Sequence, residues 1–337
     1  MLLLSTDRRE CYNPFMSKKR VGVLRGGPST EYEVSLKTGK SVMDNLADRY
    51  DVLDIFIDKD GVWHYLGTPI TPDKVFKKVD VIFNALHGAY GEDGTVQKLL
   101  DTFGIPYTGS TALASAVGMN KVLSKKIFKN NNLKTPLHTT LSNIDNLEAE
   151  IVKLFKSFPM PAVVKPVSGG SSVGTAIAKT LADLEVTVTD ALKYGKVALI
   201  EEYITGREAT CGVVDNFRNE QVYALLPVEI RKPSDSAFFD YKAKYSGQSE
   251  EICPGNFTAE EKKIIQNMAC EAHQALGLRH YSRSDFIIHP KRGIYILETN
   301  TLPGLTGESL LPKSLNAIGC SLPDFLDHLI QLALEGK

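Results

Sequence analysis

Two short segments near the end of the chain carry residue types suited to chemistry on a phosphate. They are Arg283-Ser284-Asp285 and Glu298-Thr299-Asn300, the second running on into Thr301-Leu302-Pro303-Gly304. A period-two reading puts Arg283, Asp285 and Ile287 on one face of a strand, and Ile294, Ile296, Glu298 and Asn300 on one face of the next. Between them, His289-Pro290-Lys291-Arg292-Gly293 reads as a turn. If His289 pairs with Ile294, Asp285 falls opposite Glu298. One hairpin then gathers two carboxylates and a carboxamide, with an arginine one step further along. Adjacent carboxylates repel unless a cation lies between them. An all-oxygen set suits magnesium, which takes one or two carboxylates together with substrate phosphates. A solvated hairpin end would carry the same residue types, but the facing aspartate and the Pro-Gly that follows favour a metal site.

Three other stretches could join such a site. Val167-Ser168-Gly169-Gly170-Ser171-Ser172-Val173-Gly174 links two strands, and its small residues let backbone N–H groups converge on a phosphate. It is not a Walker A loop, since no Gly-Lys-Ser/Thr follows before a helix. Such a turn is also found in plain hairpins; Lys165, at the end of the preceding apolar strand, is what points it towards phosphate. Glu201-Glu202-Tyr203-Ile204-Thr205-Gly206-Arg207-Glu208 leaves another apolar strand. It reads either as solvated surface or as an adenine edge, with Glu201 and the backbone near Ile204 on the base and Glu208 on a ribose. His87-Gly88-Ala89-Tyr90-Gly91-Glu92-Asp93-Gly94 is open in the same way, between a structural and a catalytic histidine.

These pieces must be held by an alternating α/β frame. Val21–Leu24, Val52–Ile57 and Val79–Asn84 read as strands, with helices from about Glu33 to Leu46 and from Gly94 to Phe103. That order predicts a parallel sheet with ligand-facing loops at the carboxyl ends of its strands, where Gly26-Gly27 and His87-Gly88 fall. From Gly118 a helix over 120–131 precedes the glycine-rich loop and its flanking strands. From about Thr205 the chain is strand-rich. The expected organisation is a leader over 1–16, an N-terminal α/β domain over 17–117, a central domain over 118–204 and a C-terminal α+β domain over 205–337. The polar run Lys232 to Asn256 within the last is too long for padding and reads as a lid.

Composition narrows the function classes. The chain has 337 residues, 43% hydrophobic and 23% charged, with a net charge of -1. That balance offers no basic surface for nucleic acid and no polybasic membrane anchor. Five cysteines without a C-x-x-C pair argue for reduced thiols rather than a disulfide frame or zinc site. No apolar run approaches the roughly 20 residues that span a bilayer.

In order and spacing the motifs closely resemble the D-alanine–D-alanine ligases of the ATP-grasp superfamily, from about Lys19 to the C-terminus. The residues that carry the resemblance are Gly26-Gly27-Pro28-Ser29-Thr30-Glu31-Tyr32-Glu33-Val34-Ser35, Leu86-His87-Gly88, Gly91-Glu92-Asp93-Gly94-Thr95-Val96-Gln97 and Tyr107-Thr108-Gly109-Ser110. They continue with Val164-Lys165-Pro166, Gly170-Ser171-Ser172-Val173-Gly174, Asp240-Tyr241-Lys242-Ala243-Lys244-Tyr245, the hairpin and Ser309-Leu310-Leu311-Pro312.

The resemblance implies a three-domain ATP-grasp fold with nucleotide between the central and C-terminal domains. It implies a cytoplasmic enzyme, a homodimer, that joins two D-alanines through an acyl phosphate using ATP and two Mg2+ (or Mn2+) ions. By the same resemblance, Lys121, Lys165, Gly170 and Ser172 would hold phosphates, and Glu201, Glu202, Ile204 and Glu208 adenine and ribose. Asp285, Glu298 and Asn300 would ligate metal, and Arg283 with the Gly304 N–H would form an oxyanion hole. Glu31, supported by His87, Glu92 and Ser171, would take the first D-alanine. Ser309 and Lys244 would take the second, with Lys244 also among the nucleotide groups. Tyr245, at the lid position linked to the second substrate, resembles the dipeptide-forming members; D-lactate or D-serine is the alternative. Ala89-Tyr90 and Phe239 depart from the family pattern without removing a ligand. An inactive nucleotide-binding relative would show a damaged hairpin, and grasp-fold carboxylases lack the Glu31 and His87 motifs in this arrangement.

Overall fold

The computed structural model describes residues 18–142, 145–231 and 250–336. The first sheet runs β1 (Arg20–Gly26), β2 (Asp51–Ile57), β3 (Trp63–Tyr65), β4 (Thr68–Pro69) and β5 (Val81–Asn84), in the order β4-β3-β2-β1-β5. β1 pairs in parallel with both β2 and β5, and β3 turns back antiparallel on β2. Helix α1 (Tyr32–Leu46) makes the crossover, followed by α2 (Pro72–Phe76), α3 (Thr95–Thr102) and α4 (Ala112–Met119). The central strands are apolar on both faces because both are covered. Val21, Val23, Val81 and Phe83 belong to one core with Val42 and Leu46 of α1. Leu24, Ile55, Ile57 and Ile82 belong to another with Val96 and Leu100 of α3. The carboxyl ends of β1 and β5 therefore deliver Gly26-Gly27 and the His87 loop to one edge.

Helix α5 (Lys121–Asn130) leads into the second sheet: β6 (His138–Ser142), β7 (Ala162–Pro166), β8 (Ala176–Ala178) and β9 (Val197–Glu202), with α6 (Leu147–Ser157) and α7 (Leu181–Leu192). The order is β6-β9-β7-β8 and every pairing is antiparallel. Ala162, Val164, Ala198 and Ile200 pack against Ile151, Leu184 and Val188 of the two helices. Strand alternation then turns Val163, Lys165 and Glu201 to the opposite face.

The third sheet holds β10 (Arg207–Phe217), β11 (Glu220–Ala224), β12 (Val228–Arg231), β13 (Glu250–Ile252), β14 (Tyr281–His289) and β15 (Gly293–Asn300). Its order is β13-β12-β10-β14-β15, with β11 on β10. Helix α8 (Ala259–Ala275) starts at a Thr258/Glu261 capping box and buries Ile265, Met268, Ala269 and Ala272 against this sheet. Helices α9 (Leu310–Ala317) and α10 (Leu322–Leu334) close the chain, α10 packing through Phe325, Leu326 and Leu329 on the first core. Of the expected lid, residues 232–249 lie outside the described residues. Glu250, Glu251 and Ile252 instead form an edge strand opposite Arg231, Ile230 and Glu229.

The β14–β15 hairpin corrects the expected register. His289 pairs with Gly293, not Ile294, so the loop is one residue tighter. Asp285 nevertheless faces Glu298, because a β-bulge between Asp285 and Phe286 inserts Leu297 into β15. The extra residue also switches faces. Ile294 and Ile296 point into the core with Phe286 and Ile288, while Glu298 and Asn300 pair with Asp285 and Arg283 on the other side. The four β15 residues expected on one face are thus split between two. Each buried isoleucine contributes about 1.5–3 kcal/mol, whereas a carboxylate forced into that core would cost several. The bulge satisfies both demands in eight residues.

Deleting Leu297 would force either the isoleucines or the carboxylates onto the wrong face. We expect a loss of at least about 3 kcal/mol, the scale of an unpaired buried charge, read as a lowered urea midpoint. A parent-like midpoint would show that the bulge does not set the faces.

Candidate active site

All three sheets turn an edge or a face to one cavity of about 1110 Å³. Its cationic wall starts at α5. Asn120 caps this helix, accepting from Val122 N and Leu123 N, so Lys121 stands at its first turn and Lys125 one turn on. Lys121 Nζ donates to Gly169 O at 2.7 Å and lies 3.6 Å from Glu298 Oε2, tying the glycine-rich loop to the hairpin. Lys165 Nζ lies 2.6 Å from Glu201 Oε2, and Lys125 Nζ contacts Glu201 Oε1. Burial alone would raise the Glu201 pKa, but the two ammoniums outweigh it and hold the carboxyl below its ordinary range. Burial also opposes the charge on Lys165; Glu201 and Glu298 reverse that and hold it above the usual lysine value. Lys121 stays below it, because there burial wins over Glu298.

The hairpin supplies the opposite wall. Asp285 Oδ1 accepts from Thr210 Oγ1 at 2.6 Å and from Arg283 Nε at 3.0 Å; its Oδ2 accepts from Arg283 Nη2 at 3.0 Å and from Asn300 Nδ2 at 3.2 Å. The two carboxylates and the carboxamide form an oxygen set on one face, currently neutralised by Arg283 and Lys121. Among the described residues no three His, Cys, Asp or Glu side chains converge as a metal set. Two carboxylates and a carboxamide suit a hard, oxygen-seeking cation such as magnesium or manganese, which would complete its shell with phosphate and water.

The third wall comes from the first sheet. Glu31 Oε1 accepts from Ser171 Oγ, so the glycine-rich loop closes onto the start of α1. A Cβ on Gly170 would lie 2.4 Å from Glu31 Oε2, so a larger residue there would push the Glu31 carboxylate from its place beside the loop. Ser171 and Ser172 both hold positive φ, 50° and 57°. Non-glycine residues adopt that conformation at a cost, and such strain clusters where ligands are gripped. His87 Nε2 and Thr38 Oγ1 share a 2.8 Å hydrogen bond. Glu92 accepts from Gly88 N at 2.9 Å on one oxygen, and from Thr301 Oγ1 and Leu302 N at 3.1 and 3.2 Å on the other. It thereby fixes the His87 loop to the chain leaving β15. Beyond it, Gly304 lies against Ser309, whose Oγ is 2.8 Å from Thr306 Oγ1.

The family models for the D-ala D-ala ligase N-terminus and C-terminus match residues 20–110, in two overlapping pieces, and 127–331. The chain is 39% identical to the D-alanine–D-alanine ligase of Clostridium beijerinckii over 94% of this chain and 99% of that one. It is 41% identical to that of Syntrophobacter fumaroxidans, over 94% and 98%. The chain belongs to the D-alanine–D-alanine ligase family. Solved structures agree in fold. The D-alanine–D-alanine ligase from Coxiella burnetii superposes with a TM-score of 0.81 at 30% identity, covering 95% of each chain. The VanG D-Ala:D-Ser ligase from Enterococcus faecalis gives 0.82 at 32%, covering 94% of this chain and 100% of that one. The architecture is therefore the ATP-grasp fold of these ligases.

Of the site residues expected from sequence, Glu31, His87, Ser171, Arg283, Gly304 and Ser309 all line this single cavity. So do Lys121, Lys165, Gly170, Ser172, Glu201, Glu202, Ile204, Glu208, Asp285, Glu298 and Asn300. Lys244 and Tyr245 lie outside the described residues. Two placements were not foreseen. Glu201, expected at an adenine edge, has both oxygens on lysines. The Glu202 carboxylate accepts from Leu137 N and Arg292 Nη2. Lys125 and Thr210 were missed altogether. Lys125 left a trace, since Lys121, Lys125 and Phe128 make a helical stripe in which a lysine occupies a core position. Thr210 left none, because its role depends on β10 lying beside β14.

Glu201 is a carboxylate depressed in the folded state, so its stabilisation is fully present above the ordinary carboxylate range and is lost as pH falls through its folded value. Glu201→Gln should cost roughly 3 kcal/mol at neutral pH, with the gap to the parent shrinking in acid below the ordinary carboxylate pKa. Urea denaturation at neutral and acid pH checks this; a pH-independent gap would contradict it.

Proposed function

We propose that this chain joins two D-alanines with ATP. The carboxylate of the first D-alanine takes the γ-phosphoryl group and ADP leaves. The amine of the second attacks the acyl phosphate and inorganic phosphate departs, giving D-alanyl-D-alanine for cell-wall precursor. One observation carries the reading: a single cavity brings a carboxylate anchor, Glu31 with Ser171, within the same walls as two lysines and an oxygen-ligand hairpin. That combination serves an ammonium-bearing acid beside a polyphosphate.

The residues divide the work along the cavity. Glu31 takes the ammonium of the first D-alanine, with Ser171, His87 and Glu92 holding it in place. Lys121 and Lys165 neutralise phosphate oxygens, and Gly170 and Ser172 lay the loop over them. Glu202, Ile204 and Glu208 line the base and ribose end. Asp285, Glu298 and Asn300 would hold two magnesium or manganese ions, which supply positive charge to the transferring phosphoryl oxygens. Arg283, once its aspartate is shared, turns its guanidinium to the oxyanion of the tetrahedral intermediate together with the Gly304 N–H. Ser309 receives the carboxylate of the second substrate. The N-terminal domain over 17–117 thus carries the first amino acid, and the domains over 118–204 and 205–337 grip the nucleotide.

The same reading assigns Lys244 to the second carboxylate and phosphates and Tyr245 to second-substrate choice, with 232–256 as the lid. Cytoplasmic location and a homodimer complete it; no helix among the described residues is long and apolar enough to cross a membrane. The likeness to a D-Ala:D-Ser ligase keeps D-serine as the second reading.

Offered D-alanine, D-serine and D-lactate together with ATP and magnesium, the protein should form D-alanyl-D-alanine as main product and release equimolar phosphate. Phosphate release with L-alanine but not D-alanine would refute the assignment. Glu298→Gln, which removes one charge without changing shape, should lower turnover about 10²-fold or more with the melting temperature of the parent. Near-parent turnover would mean the ion is held elsewhere.

A further inference from the structure

Lys125 lies behind the cavity rather than on its lining. Its side chain is fully buried, with 0% exposure. It meets Glu201 Oε1 on one side and donates to Thr135 Oγ1 at 2.7 Å on the other. Glu201 passes the contact on, since its second oxygen holds Lys165 Nζ at 2.6 Å. One carboxylate is therefore shared by two ammoniums, and only one of them, Lys165, lines the cavity. Fully desolvating an ammonium is costly, and an apolar side chain of the same length would fill the space between α5 and β9 without that cost. Packing alone does not call for a lysine here.

We propose that Lys125 is a positioning residue for the nucleotide phosphates. It pins one oxygen of Glu201 so that the other holds Lys165 in the cavity, and it leaves the buried group with a net positive charge. Without it, Glu201 and Lys165 form a neutral pair with little left to offer a phosphate. With it, the three side chains carry one uncompensated positive charge in a low-dielectric setting, where that charge acts strongly. Lys125 reaches the phosphates only through Glu201 and Lys165, so it contacts no reacting atom itself.

The arrangement is proton-sensitive. Burial, with the Lys165 charge adding to it, pushes the Lys125 pKa down to about 8 against the opposing pull of Glu201. The charged and titratable groups around it are Glu201 on β9, Lys165 on β7, Glu298 on β15 and His138 on β6. As pH rises through that value, Lys125 sheds its proton and the group loses its net charge.

This inference rests on the nucleotide reading of the cavity, and one titration series separates the two. Calorimetry would measure the Kd for ATP with magnesium for the parent, Lys125→Met, Glu201→Gln and the double variant, alongside the KM for D-alanine at saturating ATP. A parent that binds no ATP overturns the nucleotide reading itself. Given parent binding, Lys125→Met should weaken ATP about tenfold, the scale of a lost charge-assisted contact, while the KM for D-alanine stays at the parent value. ATP binding by the parent should weaken as pH rises through about 8, and Lys125→Met should lack that limb. In the double variant, which removes both opposite charges, the loss should match Glu201→Gln alone. An unchanged Kd in Lys125→Met, equal effects on ATP and D-alanine, or additive losses in the double variant would each overturn the proposal. A parent Kd that is flat across the alkaline range would overturn it too, and that readout needs no variant to fold.

Discussion

Strand β15 has to do two incompatible things within a few residues. Its first half must bury Ile294 and Ile296 against Phe286, Ile288 and helix α8. Its second half must turn Glu298 and Asn300 to the opposite face, beside Asp285 and Arg283. A regular strand cannot do both, because its side chains alternate with period two and the residues at even numbers would share one face. The bulge at Leu297 resolves the conflict. Everything that the cavity holds on this wall follows from it: the paired carboxylates, the guanidinium one pair along, and the exit towards Thr301, Leu302 and Gly304.

Electrostatics then makes the walls interdependent. Lys165 and Lys125 share Glu201, Lys121 approaches Glu298, and Arg283 grips Asp285. Each of these cations is already answered by a carboxylate of the protein. Four cations share three carboxylates, so each has a partner while the group keeps one net positive charge. On the proposed reading, a metal held by Asp285 and Glu298 would free Arg283 and Lys121 for anionic oxygens. The site thus holds its cations on its own carboxylates, in positions from which, on that reading, a polyphosphate would recruit them. Glu92 and the Glu31–Ser171 contact tie the His87 loop and the start of α1 to the same hairpin and glycine-rich loop.

Much of this was legible in the sequence, and the reasons are local. The β-α-β order of the first sheet shows in the apolar runs at Val21, Val52 and Val81 and the helical spacing between them. The facing of Asp285 and Glu298 was also recovered, but through a register that the structure corrects. Pairing His289 with Ile294 happens to give the right partner for Asp285 because the tighter turn and the bulge offset one another. Period-two reading cannot detect a bulge, since the inserted Leu297 simply continues the apolar run Ile294-Tyr295-Ile296. The roles of Glu201 and Thr210 were out of reach for a different reason. They depend on which strands and helices lie side by side, and nothing in the residues near Glu201 announces a second lysine arriving from α5. Residues within one motif could be read together; contacts between sheets could not.

The central claim is that the bulged hairpin is the metal wall of a ligase, with Asp285 and Glu298 exchanging protein cations for metal. The most direct test is the anomalous scattering of manganese in crystals grown with ADP. The account predicts manganese density against Asp285 and Glu298, with Arg283 and Lys121 withdrawn from those carboxylates. Manganese bound elsewhere in the cavity, or carboxylates still paired with Arg283 and Lys121 in the loaded crystal, would contradict it.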